Sequence, residues 1–223
     1  MAGTDSIAAI PTFYGGSLHR SQLEAHWAAF TDLLGWRNRV YEPQELKSTK
    51  RAGHIPDFAL VFPHGTIMLS IKPIYHIEGL EEFAKNELDY VQWDGDWIAG
   101  GAVVPIGLDS DVVGILSETN GGPEGKAKSW DSATISICLN PSVDPHIGIQ
   151  HTVGSFACRV CGWHPGGQDR MGKIPVELSV LWAHAGNAIR WQDRKNAVHQ
   201  PFKDRLAGPL WGRDGMPRWD ASI

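Results

Sequence analysis

Residues 54–72, HIPDFALVFPHGTIMLSIK, hold the side chains best placed to do chemistry. Asp57 is set into an apolar run, Pro63, His64 and Gly65 break it, and a second apolar run ends in Lys72 and Pro73. Pro-x-Gly between two apolar runs reads as a tight turn, and the whole as a β-hairpin. In an antiparallel pair the start of one strand lies beside the end of the next, so Asp57 and Lys72 are expected as neighbours on one face. A carboxylate there is a hard oxygen ligand suited to Mg2+. A lysine beside it can orient an attacking water or stabilise developing negative charge. With a metal, the pair suits phosphodiester hydrolysis. The plain alternative is a salt bridge at a sheet edge.

These residues also resemble the PD-(D/E)XK nuclease superfamily, in Pro56-Asp57 and in a second strand ending Ser70-Ile71-Lys72. The preceding segment, Arg20-Ser21-Gln22-Leu23-Glu24-Ala25, fits the helix-borne acid of many members. The order of helix, PD strand, xxK strand and helix covers roughly residues 17–92. Residues 23–30 together with Tyr41-Glu42-Pro43 are similar to uncharacterised proteins of phages and actinobacteria. The resemblance implies a restriction-endonuclease-like core, a phage or bacterial origin, Mg2+ or Mn2+ held by Asp57 and Glu24, and a catalytic Lys72. It implies DNA as substrate, and by analogy with enzymes that cut both strands, a homodimer. One position departs from it. The second acid, expected two residues before the lysine, is Ser70. Either the site only binds, or a carboxylate from the next helix reaches the metal, with Glu82 and Glu87 as candidates. Glu24 has its own local alternative, because Ser21-x-x-Glu24 is a capping box.

A second constellation is Cys158-Arg159-Val160-Cys161-Gly162-Trp163-His164. Cys-x-x-Cys-Gly is a zinc-knuckle turn that points two thiolates at one ion. His164 is a candidate third ligand, and Cys138, His151 or His146 a candidate fourth. Two unligated thiols in a turn are the plain alternative. No thioredoxin-like context favours redox chemistry.

The elements that must position these groups follow from periodicity. Leu23, Trp27, Phe30 and Leu34 recur at helical spacing and predict a helix over residues 17–34. Residues 1–16 read as irregular, 36–41 as a strand, and 42–53 as a polar, basic loop. In a nuclease, Lys47, Lys50 and Arg51 of that loop would meet DNA; solvation is the alternative. A helix is expected over 79–91, strands over 97–108 and 112–116, a turn-rich break over 120–128, strands over 133–139 and 147–157, and a helix over 173–191. Strands, a crossover helix and a further strand give an α/β (α+β) fold with a mixed central sheet flanked by helices. Residues 1–118 are the expected core and 119–223 a C-terminal extension, with a soft boundary that allows one packed unit.

With 223 residues, 42% of them hydrophobic, the chain can build a sizeable core. Three cysteines make no disulfide framework, and the N-terminus lacks the basic start and apolar centre of a signal peptide. No apolar run approaches a membrane span. A cytoplasmic, soluble protein is the expectation. A net charge of −5 argues against a surface coated for non-specific DNA binding, but an acidic metal site is compatible with it. Beside the nuclease stand two alternatives: a catalytically degenerate nuclease fold that binds DNA or protein, and a structural zinc protein whose hairpin is scaffold.

Overall fold

A computed structural model describes residues 9–48, 53–91, 93, 95–106, 111–119, 128–139, 143–151, 157–163, 171–172, 174 and 176–192. The chain opens with a small hairpin, β1 (Thr12–Tyr14) and β2 (Ser17–His19), where an irregular segment and then helix were expected. The reason is Gly15-Gly16, at φ +58° and +86°. Two consecutive left-handed residues make the two-residue turn whose twist matches paired strands. Helix α1 (Gln22–Leu33) therefore starts five residues later than its periodicity predicts. Ser21 caps it, its hydroxyl accepting the Glu24 amide at 3.1 Å. Gly35, at φ +82°, lies just past its end.

Three strands follow in antiparallel order: β3 (Arg39–Tyr41), β4 (Phe58–Phe62) and β5 (Gly65–Ile71). Helix α2 (Ile77–Phe83), capped by His76, continues as one π-type turn over Ala84–Leu88. It crosses to β6 (Asp96–Gly100), which pairs parallel to β5. A parallel neighbour needs such a crossover, because a tight turn can only reverse the chain. Strand β6 is shorter than the expected 97–108. Beyond it lie β7 (Val112–Thr119), β8 (Lys128–Cys138) and β9 (His146–His151), each antiparallel to its predecessor. At 11 residues, β8 is long enough to pair with β7 through its first half and with β9 through its second. A short pair, β10 (Ala157–Cys158) and β11 (Gly162–Trp163), carries the Cys-x-x-Cys turn. Strand β12 (Met171–Gly172) adds to β8, and helix α3 (Leu178–Gln192) ends the described chain. Among the described residues the result is a mixed α+β fold around one eight-stranded sheet, in which the β7–β8 ladder runs from the Val112–Thr134 pair to the Thr119–Lys128 pair.

The pleat sorts the hairpin into two faces. Phe58, Leu60, Ile67, Leu69 and Ile71 join the core built with α1 and α3. Ala59, Met68 and Ala99 join a second core with Leu80, Ala84 and Leu88. By the same alternation Asp57, Ser70 and Lys72 belong to the α2 face.

Close approaches fix the layers. The indole N–H of buried Trp27 donates to the Gly101 carbonyl at 2.8 Å. A Cβ on Gly100 would meet the same indole at 2.7 Å, so the strand can pass only as glycine. Trp182 of α3 stacks on His26 with centroids 3.7 Å apart, and the His26 ring bonds the Trp182 carbonyl at 2.7 Å. Among the described residues no helix is long and apolar enough to cross a membrane.

Candidate functional sites

The first site lies where β4 begins and β5 ends. Phe58 opposes Leu69, so Asp57, one residue earlier, falls opposite Ser70. Both are buried. Asp57 Oδ2 accepts the Ile71 amide at 2.6 Å, and Asp57 Oδ1 accepts from the Arg20 guanidinium at 2.7 Å. Lys72, whose amide bonds the Gly100 carbonyl at 2.9 Å, lies close enough to act electrostatically on Asp57. Burial nevertheless raises the Asp57 pKa, with Glu24 adding to it, while the Ile71 amide, Lys72 and Arg20 pull the other way.

Glu24 is buried at the start of α1. The local expectation is half met, since Ser21 accepts the Glu24 amide but the Glu24 carboxylate turns to other donors. Its Oε2 accepts the Tyr41 hydroxyl at 2.6 Å and the Arg20 amide at 3.1 Å. Burial, then the bond to Glu24, pushes the Tyr41 pKa up to about 12. Arg20 ties the cluster together. Its guanidinium is 2.7 Å from Asp57, 2.7 Å from Glu42 and 3.6 Å from Glu24. The Glu42 amide in turn donates to the Asp57 carbonyl at 3.0 Å, with Glu42 itself at φ +44°. A left-handed glutamate is uncommon and marks a turn held by its surroundings. Three carboxylates thus share one guanidinium, which balances their charge.

Beside this cluster a cleft of about 470 Å3 is lined by Ser48, Gly53, His54, Lys72, Phe83, Glu87 and Val91. Leu46 and His54, beside the lining residues Ser48 and Gly53, are joined by paired backbone bonds of 2.7 Å. His54 Nε2 meets Ser70 Oγ at 2.9 Å, and the Lys72 ammonium sits 5.2 Å from the centre of the Phe83 ring. Of the two helix acids considered for the place Ser70 leaves, Glu87 lines this cleft, whereas Glu82 stands exposed on α2. Lys47 is exposed after β3; Lys50 and Arg51 lie outside the described residues.

The second site is a Cys/His cluster. Cys138, His146, Cys158 and Cys161 place their ligand atoms within 4.8 Å of one another, a group that could hold a metal ion such as zinc. His164, the candidate third ligand, lies outside the described residues. Cys138 ends β8 and His146 opens β9, and the two are directly opposed in the ladder. His151 is five residues further along β9, roughly 17 Å away at strand rise. Burial resists ionisation of Cys158, but the His146 ring and the amides of Cys161 and Val160 outweigh it and bring its pKa down to about 7. Burial and the neighbouring thiols push Cys161 up to about 12.

Sequence reasoning missed Arg20, Glu42 and His54 as members of the first site. Arg20 stands four residues before Glu24, a spacing at which charges meet on a helix, and this was the one signal available. No family model, curated protein or solved structure matches the chain.

Proposed function

We propose that this protein is a metal-dependent nuclease of the PD-(D/E)XK type that hydrolyses phosphodiester bonds in DNA. One observation carries the reading: Glu24 from α1, Asp57 before β4 and Lys72 after β5 converge at one end of a single hairpin. The segment from α1 to β6 runs helix, three antiparallel strands, helix and parallel strand. We read it as the restriction-endonuclease-like core that the PD…xxK resemblance implies.

Asp57 and Glu24, with Glu42 beside them, are the oxygen ligands for Mg2+ or Mn2+. When bound, such an ion supplies a Lewis acid for the scissile phosphate. Lys72 positions the attacking water and faces the charge that develops on the phosphoryl oxygens. Ser70, bonded to His54, holds the place of the second acid with a hydroxyl, and Glu87 is the carboxylate on the cleft wall. Lys47 is the described basic residue of the loop we assign to the DNA backbone. The Cys/His cluster takes no step in this reaction.

A second reading has its own observation. The Arg20 guanidinium already supplies positive charge among Asp57, Glu42 and Glu24, and Ser70 removes one ligand. A chain of that kind keeps the fold and binds DNA or protein without cutting.

Cleavage of plasmid and single-stranded DNA with Mg2+ or Mn2+ separates the two. Cutting that Asp57→Ala and Lys72→Ala each abolish is the expected result. A folded wild type that does not cut, beside a Ser70→Glu variant that does, would replace the nuclease by the binding module.

A further inference from the structure

We infer that Cys138, His146, Cys158 and Cys161 bind one zinc ion as a closed, tetrahedral structural site that latches the second half of the sheet to the tip of the β4–β5 hairpin. The inference goes beyond the nuclease reading and does not depend on it.

Tetrahedral zinc holds sulfur at about 2.3 Å and nitrogen at about 2.0–2.1 Å, which puts ligand sulfurs about 3.8 Å apart and a sulfur and a nitrogen about 3.6 Å apart. Cys138 Sγ and Cys161 Sγ are 3.6 Å apart, and Cys158 Sγ is 3.4 Å from His146 Nε2. A disulfide needs about 2.05 Å. The second layer of contacts suits a metal as well. His146 Nδ1 lies 2.9 Å from the Asp144 carbonyl, a bond that puts the proton on Nδ1 and leaves the Nε2 lone pair pointing at the thiols. The amides of Val160 and Cys161 bond Cys158 from within the knuckle turn, as donors to a thiolate would.

Other uses of the cluster fit worse. A Cys158–His146 nucleophile pair would have to reach a substrate, and Cys158 is 1% exposed. Three thiolates and one imidazole complete a four-coordinate shell, leaving no position for water, which is the mark of a structural site.

The latch follows from what surrounds the ligands. Gly162, at φ +97°, ends the knuckle in a conformation that favours glycine, and a Cβ there would meet the His64 ring at 2.7 Å. His64 is in the turn of the β4–β5 hairpin. Arg159 adds a 3.6 Å ion pair to Asp96 at the start of β6. The metal would thus fix β8, β9 and the knuckle to one another, and the knuckle so held packs on the β4–β5 turn and pairs with the start of β6. It would do so at the far end of β5 from Lys72, roughly 20 Å away at strand rise.

The test uses the full chain purified without added metal. Expected are one zinc per chain by elemental analysis, three thiols that react with a disulfide reagent only after chelation, and a lower Tm after chelation. Cobalt substitution should give the intense visible bands of a tetrahedral ion with thiolate charge transfer. Cys161→Ser and His146→Ala should each lose most of the metal, while Asp57→Ala keeps it, which separates this ion from any at the carboxylates. A folded wild type with less than a tenth of an equivalent of zinc and three freely reactive thiols would overturn the site. So would stoichiometric zinc retained in both ligand variants. Should those variants fail to fold, wild-type metal content and the cobalt spectrum decide. A Tm unmoved by removal of the metal would overturn the latch.

Discussion

Replacing Arg20 by Gln takes away the cation that Asp57, Glu42 and Glu24 share, and the consequence can be worked through. The Arg20–Asp57 bond is charge-assisted at 2.7 Å, a kind that contributes roughly 1.5–3 kcal/mol. The Arg20 side chain is 53% exposed, so solvent screening brings the expectation to the lower end, about 1–2 kcal/mol. The contacts to Glu42 and Glu24 add at most a few tenths each. The Asp57 carboxylate would be left buried, with the Ile71 amide as its remaining described hydrogen bond. Its pKa, already raised by burial, should rise further. Arg20→Gln should therefore lose about 1–2 kcal/mol near pH 7.5 in urea denaturation. The loss should shrink as acid protonates Asp57 and removes the charge that needed a partner. Mn2+ should offset it, because binding to the folded state stabilises by RT ln(1 + [L]/Kd), and a tenfold tighter site gives about 1.4 kcal/mol more. An equal loss at pH 7.5 and at acid pH, or an equal Mn2+ effect on variant and wild type, would refute the reasoning.

Further outcomes can be measured. Because the folded pKa of Asp57 is raised, the folded chain holds that proton more firmly than the unfolded chain; this contribution is present below the ordinary carboxylate range and lost as pH rises through the raised value. Asp57→Asn should flatten that part of the stability–pH curve, measured by denaturation across the range, while abolishing DNA cleavage. Tyr41→Phe removes the hydroxyl that donates to Glu24 and accepts the Arg20 amide, and should cost about 1–2 kcal/mol in denaturant titration. Gly114→Ala would drive a Cβ into the Ala99 carbonyl oxygen, a backbone atom inside the sheet; a loss of about 1–3 kcal/mol in thermal or urea unfolding is expected.

The parts of the site carried on one short stretch were legible in the sequence. Asp57, Ser70 and Lys72 belong to a hairpin whose turn residues and apolar runs predict their meeting, and strand alternation does the rest. Glu24 was readable as a helix-start acid, but not its bond to Tyr41, which depends on how α1 lies against β3. Arg20 and Glu42 were not readable as partners, since 22 positions separate them and a left-handed glutamate has no sequence signal. Gly15-Gly16 carried a clear hairpin signal that the helical periodicity after it overrode. At the cysteines, the knuckle turn was legible from spacing alone. Its partners Cys138 and His146 depend on the β8–β9 register, which one residue of slip would have changed.

The parallel pairing of β5 with β6 also bears on the order in which the molecule assembles. The β4–β5 hairpin closes a short loop, so its ladder forms at small entropic cost. Strand β6 can join β5 only after the chain has travelled through α2, the paired Ile67 and Asp96 being 29 positions apart. Pairings between distant positions are the slow ones. Asp57, Ser70 and Lys72 would then be brought together early, on the hairpin. Asp57 would meet its full desolvation only when α1 brings in Glu24, with Arg20 just before the helix. Substitutions in the β4–β5 turn should slow refolding, whereas those at Arg20 should act mainly on the unfolding rate.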